Sequence, residues 1–326
     1  MIEHPDFLEL MARRSSGMTV SASVTPTAVG PIEYHGTAEV DAECALLQNA
    51  PFTQTFMTAV SPGMVAAALN NQHYSSDEDY LRALGRALSV KYHATVARDL
   101  LLQIDAPDLA ADRSGPFSEL SLAEYMRWAE MVVDTINNAP EGIEPQRVRL
   151  HVCWGNMEAP HTHDVALEDT LGTLYRAHVG ALIISMANPR HMHEHKCFAR
   201  HPLPDGMKLV AGVIEPTTNY VEHPELVADR LERVAAAVGD PTRIMAGTDC
   251  GFASLAGYTP VAPSIVWEKL RPMRAGADLA ASRLFLDAQT FKKHWHQVRP
   301  PRALEDENRR LGSPLAEATS DATLIT

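Results

Sequence analysis

Short apolar runs alternate with helical patterns along most of the chain, and this order constrains the fold more than any other feature. Strands are predicted at residues 52–60, 100–105, 148–153, 181–186, 209–214 and 243–248. Apolar residues that recur at helical spacing predict helices at 39–48, 80–96, 122–136, 166–178, 224–238 and 264–285. Strands that alternate with helices indicate a parallel α/β sheet, because each helix carries the chain back to the edge where the previous strand began.

Two helix starts and one interior proline mark the helical segments. Ser75 with Glu78, and Ser121 with Glu124, each have the spacing of a capping box, in which the two side chains cap the first backbone N–H groups. Pro272 lies within the last predicted helix. Because proline removes one backbone donor, we expect a kink or an interruption there.

Composition and charge limit the classes of function. The 326 residues are 45% hydrophobic, enough for one barrel-sized core or two ordinary domains, and the net charge is −13. Since no basic run exceeds two residues, binding to nucleic acid or to an anionic membrane is not expected. No run approaches the ~18 apolar residues of a membrane span. Residues 1–285 are predicted to form one domain, followed by a polar C-terminal tail at 286–326.

The cysteines and the N-terminus favour one cellular compartment. Cys44, Cys153, Cys197 and Cys250 are scattered without the density of a disulfide framework. The first residues lack the basic and apolar segments of a signal peptide. We therefore expect a cytoplasmic protein whose thiols are reduced and free to bind metal.

The strand at 148–153 carries residues with recognisable chemistry. His151 and Cys153 are two residues apart, so both side chains point to the same face of the strand, at its C-terminal end. An imidazole and a thiol in this relation are half of a tetrahedral zinc site. Cys250 follows the last predicted strand, and in a parallel barrel it would meet the pair at the face that carries the active site. The alternative is a buried strand with a hydrogen-bonded histidine and an inert cysteine.

Five stretches extend this pattern. They are Leu102–Asp105, His151–Asn156, Asn188–Glu194, Val221–Glu225 and Gly247–Gly251. Together they resemble the catalytic C-terminal barrel of the cobalamin-independent methionine synthase family, including its stand-alone branch with the epoxyalkane:coenzyme M transferases. The resemblance implies a (β/α)8 TIM-type barrel with zinc held by His151, Cys153 and Cys250. It also implies transfer of a methyl or other alkyl group to a small thiol, with epoxide–thiol addition or a carbon–sulfur lyase reaction as the alternative.

Two features depart from the family pattern. Members usually carry a glutamate zinc ligand where this chain has Ser185, so the fourth ligand stays open. The opening strands of the family barrel have no counterpart, as if the chain began after the second strand, and six strands cannot close an eight-stranded barrel. We therefore expect an oligomer, of this chain or with a related chain. A non-catalytic subunit that completes a partner's barrel is the alternative of a different class.

The resemblance also assigns residues around the zinc. Asp105 would contact the amino group of the substrate and take part in catalysis, although an aspartate that ends a strand can instead cap a turn. His191 is the second catalytic candidate. Further substrate contacts are predicted at Trp154, Asn188, Arg190 and Glu215.

Several of these side chains allow a second interpretation. His161 and His163 have the spacing of a metal pair but lie in a loop beside the site. His191 and His193 are either metal ligands or, in the favoured interpretation, loop histidines that orient their neighbours. Trp154 can pack in the core rather than contact a ligand.

Overall fold

The computed structural model describes residues 6–7, 9–10, 25–115, 117–253 and 259–285. The predicted tail at 286–326 lies outside the described residues. Within those ranges, no helix has the length and apolar character needed to cross a membrane.

Eight strands lie in the described residues. They are β1 (Thr27–Ala28), β2 (Phe56–Val60), β3 (Asn70–Asn71), β4 (Leu101–Asp105), β5 (Val148–Val152), β6 (Ala181–Ile184), β7 (Lys208–Ile214) and β8 (Ile244–Thr248). β1 and β3 form a separate parallel pair, and the other six form one parallel sheet in the order β2-β4-β5-β6-β7-β8. The six predicted strands and their parallel arrangement are thus confirmed.

Seven α-helices lie in the described part of residues 25–285. They are α1 (Ala38–Gln48), α2 (Pro62–Ala68), α3 (Asp77–Val96), α4 (Leu122–Asn138), α5 (Leu167–Leu174), α6 (Pro224–Val238) and α7 (Pro263–Leu284). Short 3-10 turns follow the strands or precede them, at Pro107–Leu109, Asp112–Ser114, Pro145–Arg147, Glu194–Ala199 and Pro241–Arg243.

The two faces of the central strand β5 are buried against different surroundings. Val148, Leu150 and Val152 belong to the main hydrophobic core, which includes apolar side chains from α3 to α7. Arg149 and His151 alternate with them, point to the opposite face, and are also buried. Burial on both faces is typical of a central strand in a parallel sheet. The face of β5 that carries His151 is therefore the interior face of the six-stranded, barrel-type sheet, opposite the main hydrophobic core.

The main sheet is open within the described residues, because its edge strands β2 and β8 do not pair with each other. On β2, Thr58 and Val60 are exposed, whereas the alternating Met57 and Ala59 are buried. The interior face is thus accessible at this edge, in line with the expectation that six strands do not close an eight-stranded barrel.

The start of α3 corrects one sequence prediction. Ser76 rather than Ser75 caps this helix, and its hydroxyl accepts a hydrogen bond from the Asp79 backbone N–H at 3.1 Å. Ser75 instead donates to the Asp79 carboxylate. Both serines have an acidic residue three positions later, so the capping pattern fits two registers, and the predicted box with Glu78 is off by one residue.

Three further helix predictions have different outcomes. The capping box of Ser121 and Glu124 is confirmed. α5 ends at Leu174 rather than at His178, because the backbone N–H groups of Arg176 and Ala177 bond to carbonyls three residues back instead of four. α7 continues through Pro272, so the predicted interruption is wrong. A proline removes a single backbone donor, and close packing against α6 holds the helix together.

Candidate metal centre

Strand pairing brings the His-x-Cys stretch to one side of the sheet. Asp105, the last residue of β4, lies opposite His151 of β5. His151 and Cys153 are each 4% exposed. Side chains two residues apart on a strand share a face, so the imidazole and the thiol both lie at the C-terminal end of the sheet.

Cys250, in the loop after β8, completes a group of three ligand side chains. The ligand atoms of His151, Cys153 and Cys250 all lie within 4.8 Å of one another. The Asn156 side chain donates a hydrogen bond to the carbonyl of Gly251 at 2.6 Å and ties together the two loops that carry the thiols. The structure thus brings together the three side chains that the sequence singles out as metal ligands.

His151 is held through both ring nitrogens. Nδ1 lies 2.6 Å from Oδ1 of Asp105, and Nε2 lies 3.0 Å from the backbone carbonyl oxygen of Asp249. Burial lowers the pKa of His151, but the hydrogen bond to Asp105 and the nearby Cys250 raise it more strongly, to about 9. A carboxylate in this position orients the imidazole, as carboxylates do for metal-binding histidines.

The two thiols differ in how readily they ionise. A hydrogen bond between them lowers the pKa of Cys250 and raises the pKa of Cys153 well above its usual value. Burial adds to the increase at Cys153, whereas the charge of His151 adds to the decrease at Cys250. Cys250 is therefore the first of the two to become a thiolate, the form that binds metal.

Ser185 follows β6 and lies beside the histidine. It is 3% exposed, and its hydroxyl donates to the backbone carbonyl of Asp249 at 2.8 Å. This is the same oxygen that Nε2 of His151 approaches. Ser185 thus lies beside His151, and its replacement of a glutamate ligand stays a prediction.

Asp249 holds the loop after β6, a role that sequence reasoning missed. Its carboxylate accepts hydrogen bonds from the backbone N–H groups of residues 186–188 at 2.8–2.9 Å and from the Asn188 side-chain amide at 3.2 Å. Gly212 leaves room for it, since a Cβ atom there would lie 2.1 Å from Oδ1 of Asp249. Burial raises the pKa of Asp249 to about 6, against these hydrogen bonds, which lower it. The one signal in the sequence for this role is that Asp249 directly precedes the predicted ligand Cys250.

Two predicted substrate contacts are carboxylates with an accessible or unsatisfied oxygen. The Asp105 side chain is 33% exposed, so it faces solvent as well as His151. Glu215 follows β7, and its Oε1 accepts hydrogen bonds from the backbone N–H and the hydroxyl of Thr217. Its Oε2 is buried and has no hydrogen-bond donor among the described residues. Both positions suit a substrate contact, which stays a prediction.

The other three predicted contacts have different surroundings. The Asn188 side chain bonds to Asp249 and to the backbone N–H groups of Arg190 and His191. Arg190 is exposed. Trp154 is 4% exposed, and its indole N–H donates to a backbone carbonyl at 2.6 Å, which supports the packing interpretation. The polar atoms of Asn188 and Trp154 thus have structural partners, and their substrate roles stay predictions.

His191 belongs to a second group of ligand side chains, together with His161 and Asp164, whose ligand atoms also lie within 4.8 Å of one another. His191 is 3% exposed, and its ring stacks on Trp154 with the centroids 3.8 Å apart. Both of its ring nitrogens face carboxylates, one from Asp164 and one from Glu194. A direct catalytic role for His191 stays a prediction.

Among the described residues, His161 and His163 do not share a ligand group, although their spacing is that of a metal pair. In the described part of the chain, neither of the two ligand groups includes His163 or His193. The spacing that forms the second group is instead three residues, from His161 to Asp164, completed by His191 from another loop. An aspartate directly after a His-x-His pair was the signal that pairing by sequence alone overlooked.

The arrangement described above is a parallel α/β sheet of barrel type with an imidazole and two thiols at the C-terminal ends of its strands. We compared the chain with known proteins in sequence and in structure. No family model matches the chain. A curated 2-hydroxypropyl-CoM lyase from Xanthobacter autotrophicus is 24% identical over 287 residues, which cover 79% of this chain and 69% of that protein. A solved B12-independent methionine synthase from Shewanella sp. W3-18-1, in complex with selenomethionine, has a TM-score of 0.63 at 20% identity, covering 80% of this chain and 72% of that chain.

The fold is the TIM-type α/β barrel of that structural neighbour, with six parallel strands in the main sheet here. The similarity to these two proteins supports the resemblance to the cobalamin-independent methionine synthase family that the sequence motifs indicate. Both relatives are enzymes.

Proposed function

We propose that this chain is an enzyme that binds zinc with His151, Cys153 and Cys250 and transfers a methyl or other alkyl group to a small thiol. The observation that carries the proposal is the group of three ligand atoms within 4.8 Å at the C-terminal end of the sheet. Barrels of this type place their chemistry at that end. The names of the two relatives, a CoM lyase and a methionine synthase, support chemistry at a sulfur atom.

The chemical nature of the three donors fits zinc. Zinc prefers imidazole and thiolate ligands in tetrahedral geometry, and its catalytic sites keep one position for water or substrate. His151, Cys153 and Cys250 supply three donors, and Ser185 adds no charge at the fourth side. When bound, zinc would lower the pKa of a substrate thiol and keep it as the nucleophilic thiolate.

Asp105 has two tasks in this proposal. Its Oδ1 orients the His151 ring at 2.6 Å, which fixes the direction of the opposite ring nitrogen. Since the side chain is also 33% exposed, the carboxylate can contact a substrate amine or pass the thiol proton to solvent. In the transfer, the sulfur forms the bond to the alkyl carbon while the donor leaves with the electron pair of the broken bond.

A carbon–sulfur lyase reaction is the second candidate, and the name of the curated relative favours it. There the carbon–sulfur bond breaks as a neighbouring hydroxyl oxygen, after losing its proton, closes on the same carbon, and sulfur leaves as a thiolate. Ser185 in place of a glutamate makes the site less negative by one charge. A less negative site stabilises a departing sulfur anion, which suits a leaving group better than a nucleophile.

Metal analysis tests the site. Cys153→Ser and Cys250→Ser should each lose one equivalent of zinc relative to wild type, because hydroxyl oxygen is a poor zinc ligand. Cys44→Ser is the matched control, since Cys44 is buried in a different apolar cluster, and its zinc content should equal that of wild type. Circular dichroism verifies that each variant is folded. Undiminished zinc in both site variants would contradict the proposal.

Thiol binding and turnover test the reaction. Homocysteine and coenzyme M are added to cobalt-substituted protein, where a bound thiolate adds a sulfur-to-cobalt charge-transfer band. Thioether formation with iodomethane as alkyl donor supports transfer, and release of coenzyme M from its 2-hydroxypropyl thioether supports the lyase reaction. If neither thiol binds, the enzyme proposal fails and the non-catalytic subunit is favoured.

A further inference from the structure

A second ligand group lies beside Trp154, and we propose that it binds a second divalent metal ion. His161, Asp164 and His191 place their ligand atoms within 4.8 Å of one another. Oδ2 of Asp164 lies 2.9 Å from Nδ1 of His161 and 2.7 Å from Nε2 of His191. The side chains of Asp164 and His191 are only 2% and 4% exposed.

The outer nitrogens of both histidines have the partners that a metal site requires. Nδ1 of His191 lies 2.8 Å from a carboxylate oxygen of Glu194, and Nε2 of His161 lies 3.0 Å from the carbonyl oxygen of Met157. Oδ2 of Asp164 is an acceptor at the inner nitrogens as well, so without a metal each ring is held from both sides. When a cation takes the place of the inner protons, the acceptors at the outer positions hold the N–H there. The inner nitrogen of each ring then presents a lone pair, as in metal sites whose histidines bond to a carboxylate or carbonyl.

The three inner atoms of this group can share one cation. With the ring protons on the outer nitrogens, both inner nitrogens and Oδ2 of Asp164 are acceptors that converge on one another. Ser114 donates to Oδ1 of Asp164 at 3.1 Å, which turns Oδ2 toward the histidines. One metal ion would satisfy all three acceptors at once.

The donor set selects the kind of metal. Two imidazoles and one carboxylate suit divalent transition metals such as zinc, cobalt or iron, whereas magnesium and calcium prefer oxygen ligands. The His161 side chain is 18% exposed, which gives the ion a route from solvent. Trp154, the residue after Cys153, stacks on His191 with the ring centroids 3.8 Å apart. An ion bound by the second ligand group would therefore hold His191 and, through the stacked Trp154, the end of β5 that carries the first ligand group.

Cobalt(II) titration tests the second group separately from the thiols. The Cys153→Ser/Cys250→Ser double variant should still bind one equivalent of cobalt per chain. Adding Asp164→Asn or His161→Gln should weaken that binding at least tenfold. His193→Gln is the matched control, because His193 is an exposed histidine of the same loop as His191, and it should bind cobalt as the double variant does.

The wild-type protein gives a second measurement that does not depend on the folding of variants. It should bind two equivalents of cobalt, of which one produces a thiolate-to-cobalt charge-transfer band. A single bound equivalent in wild type that produces the thiolate-to-cobalt band, or full affinity in both the Asp164→Asn and His161→Gln variants, would overturn the inference. Because the Cys153→Ser/Cys250→Ser variant lacks the thiol donors, its cobalt binding reports on the second ligand group even if the first ligand group binds no metal.

Discussion

Asp249→Asn tests whether one buried carboxylate fixes the strand ends around the ligands. The carboxylate accepts four hydrogen bonds, three from the backbone N–H groups of residues 186–188 and one from the Asn188 side chain. An amide of the same shape has one acceptor oxygen and one NH2 group. In either orientation, its NH2 group faces two N–H groups, so two of the four hydrogen bonds are lost.

The expected magnitude follows from that count. A buried donor left without an acceptor costs about 1–3 kcal/mol. Two of them would lower the free energy of unfolding by about 2–6 kcal/mol, part of which is offset because a neutral amide is cheaper to bury than a charge. The comparison belongs at pH 8, where a carboxyl group with a pKa of about 6 is ionised.

Urea unfolding followed by circular dichroism measures the change, with the m-value showing that both proteins unfold in the same way. Asp229→Asn is the matched control, because it removes the same charge from an exposed site in α6, and we expect a change within about 0.5 kcal/mol. Metal affinity should fall with stability, since the Asp249 carbonyl contacts His151 and Ser185. A loss below about 1 kcal/mol at constant m-value would refute the assignment of the four hydrogen bonds.

Two other predictions concern pH and packing. Burial raises the pKa of Asp108 from the usual 3.8 to about 8, so the folded protein keeps a proton that the unfolded chain releases. Stability should fall by about 1.4 kcal/mol per pH unit between roughly pH 5 and 7, and Asp108→Asn should remove this slope from a urea series; equal slopes would count against it. A Cβ atom at Gly276 would lie 2.5 Å from the Val227 side chain and 2.6 Å from the Pro224 carbonyl, so Gly276→Ala should destabilise by about 1–3 kcal/mol. Gly172→Ala in α5, where a Cβ atom meets nothing within 4 Å, should stabilise by up to about 1 kcal/mol, and melting shifts of one sign for both variants would contradict the packing.

Local patterns were sufficient to predict the sheet and the first ligand group. The period of two along β5 put His151 and Cys153 on one face, and the alternation of strands with helices implied the parallel order that brings Cys250 to the same end. Both predictions depend only on patterns among residues that are close together in the sequence. Boundaries were less certain where two registers fit equally, as for the serines before α3.

Contacts between distant segments could not be predicted in the same way. The pairing of Asp105 with His151 depends on the register between β4 and β5, and the four hydrogen bonds of Asp249 depend on a loop that precedes it by about sixty residues. The second ligand group joins two loops through Asp164, whose charge serves both histidines. Periodicity reports which face a side chain takes, but not which side chain from elsewhere will meet it.

The contact between His151 and Asp249 spans 98 residues of chain and involves the strand at the far edge of the sheet. A polypeptide still emerging from the ribosome holds His151 and Cys153 long before Cys250 is made. The complete ligand set arises only when β8 docks on β7, a contact of the long-range kind that forms slowly. An ion bound at these three side chains would therefore stabilise a chain that extends through β8 and Cys250 over a chain that ends before them.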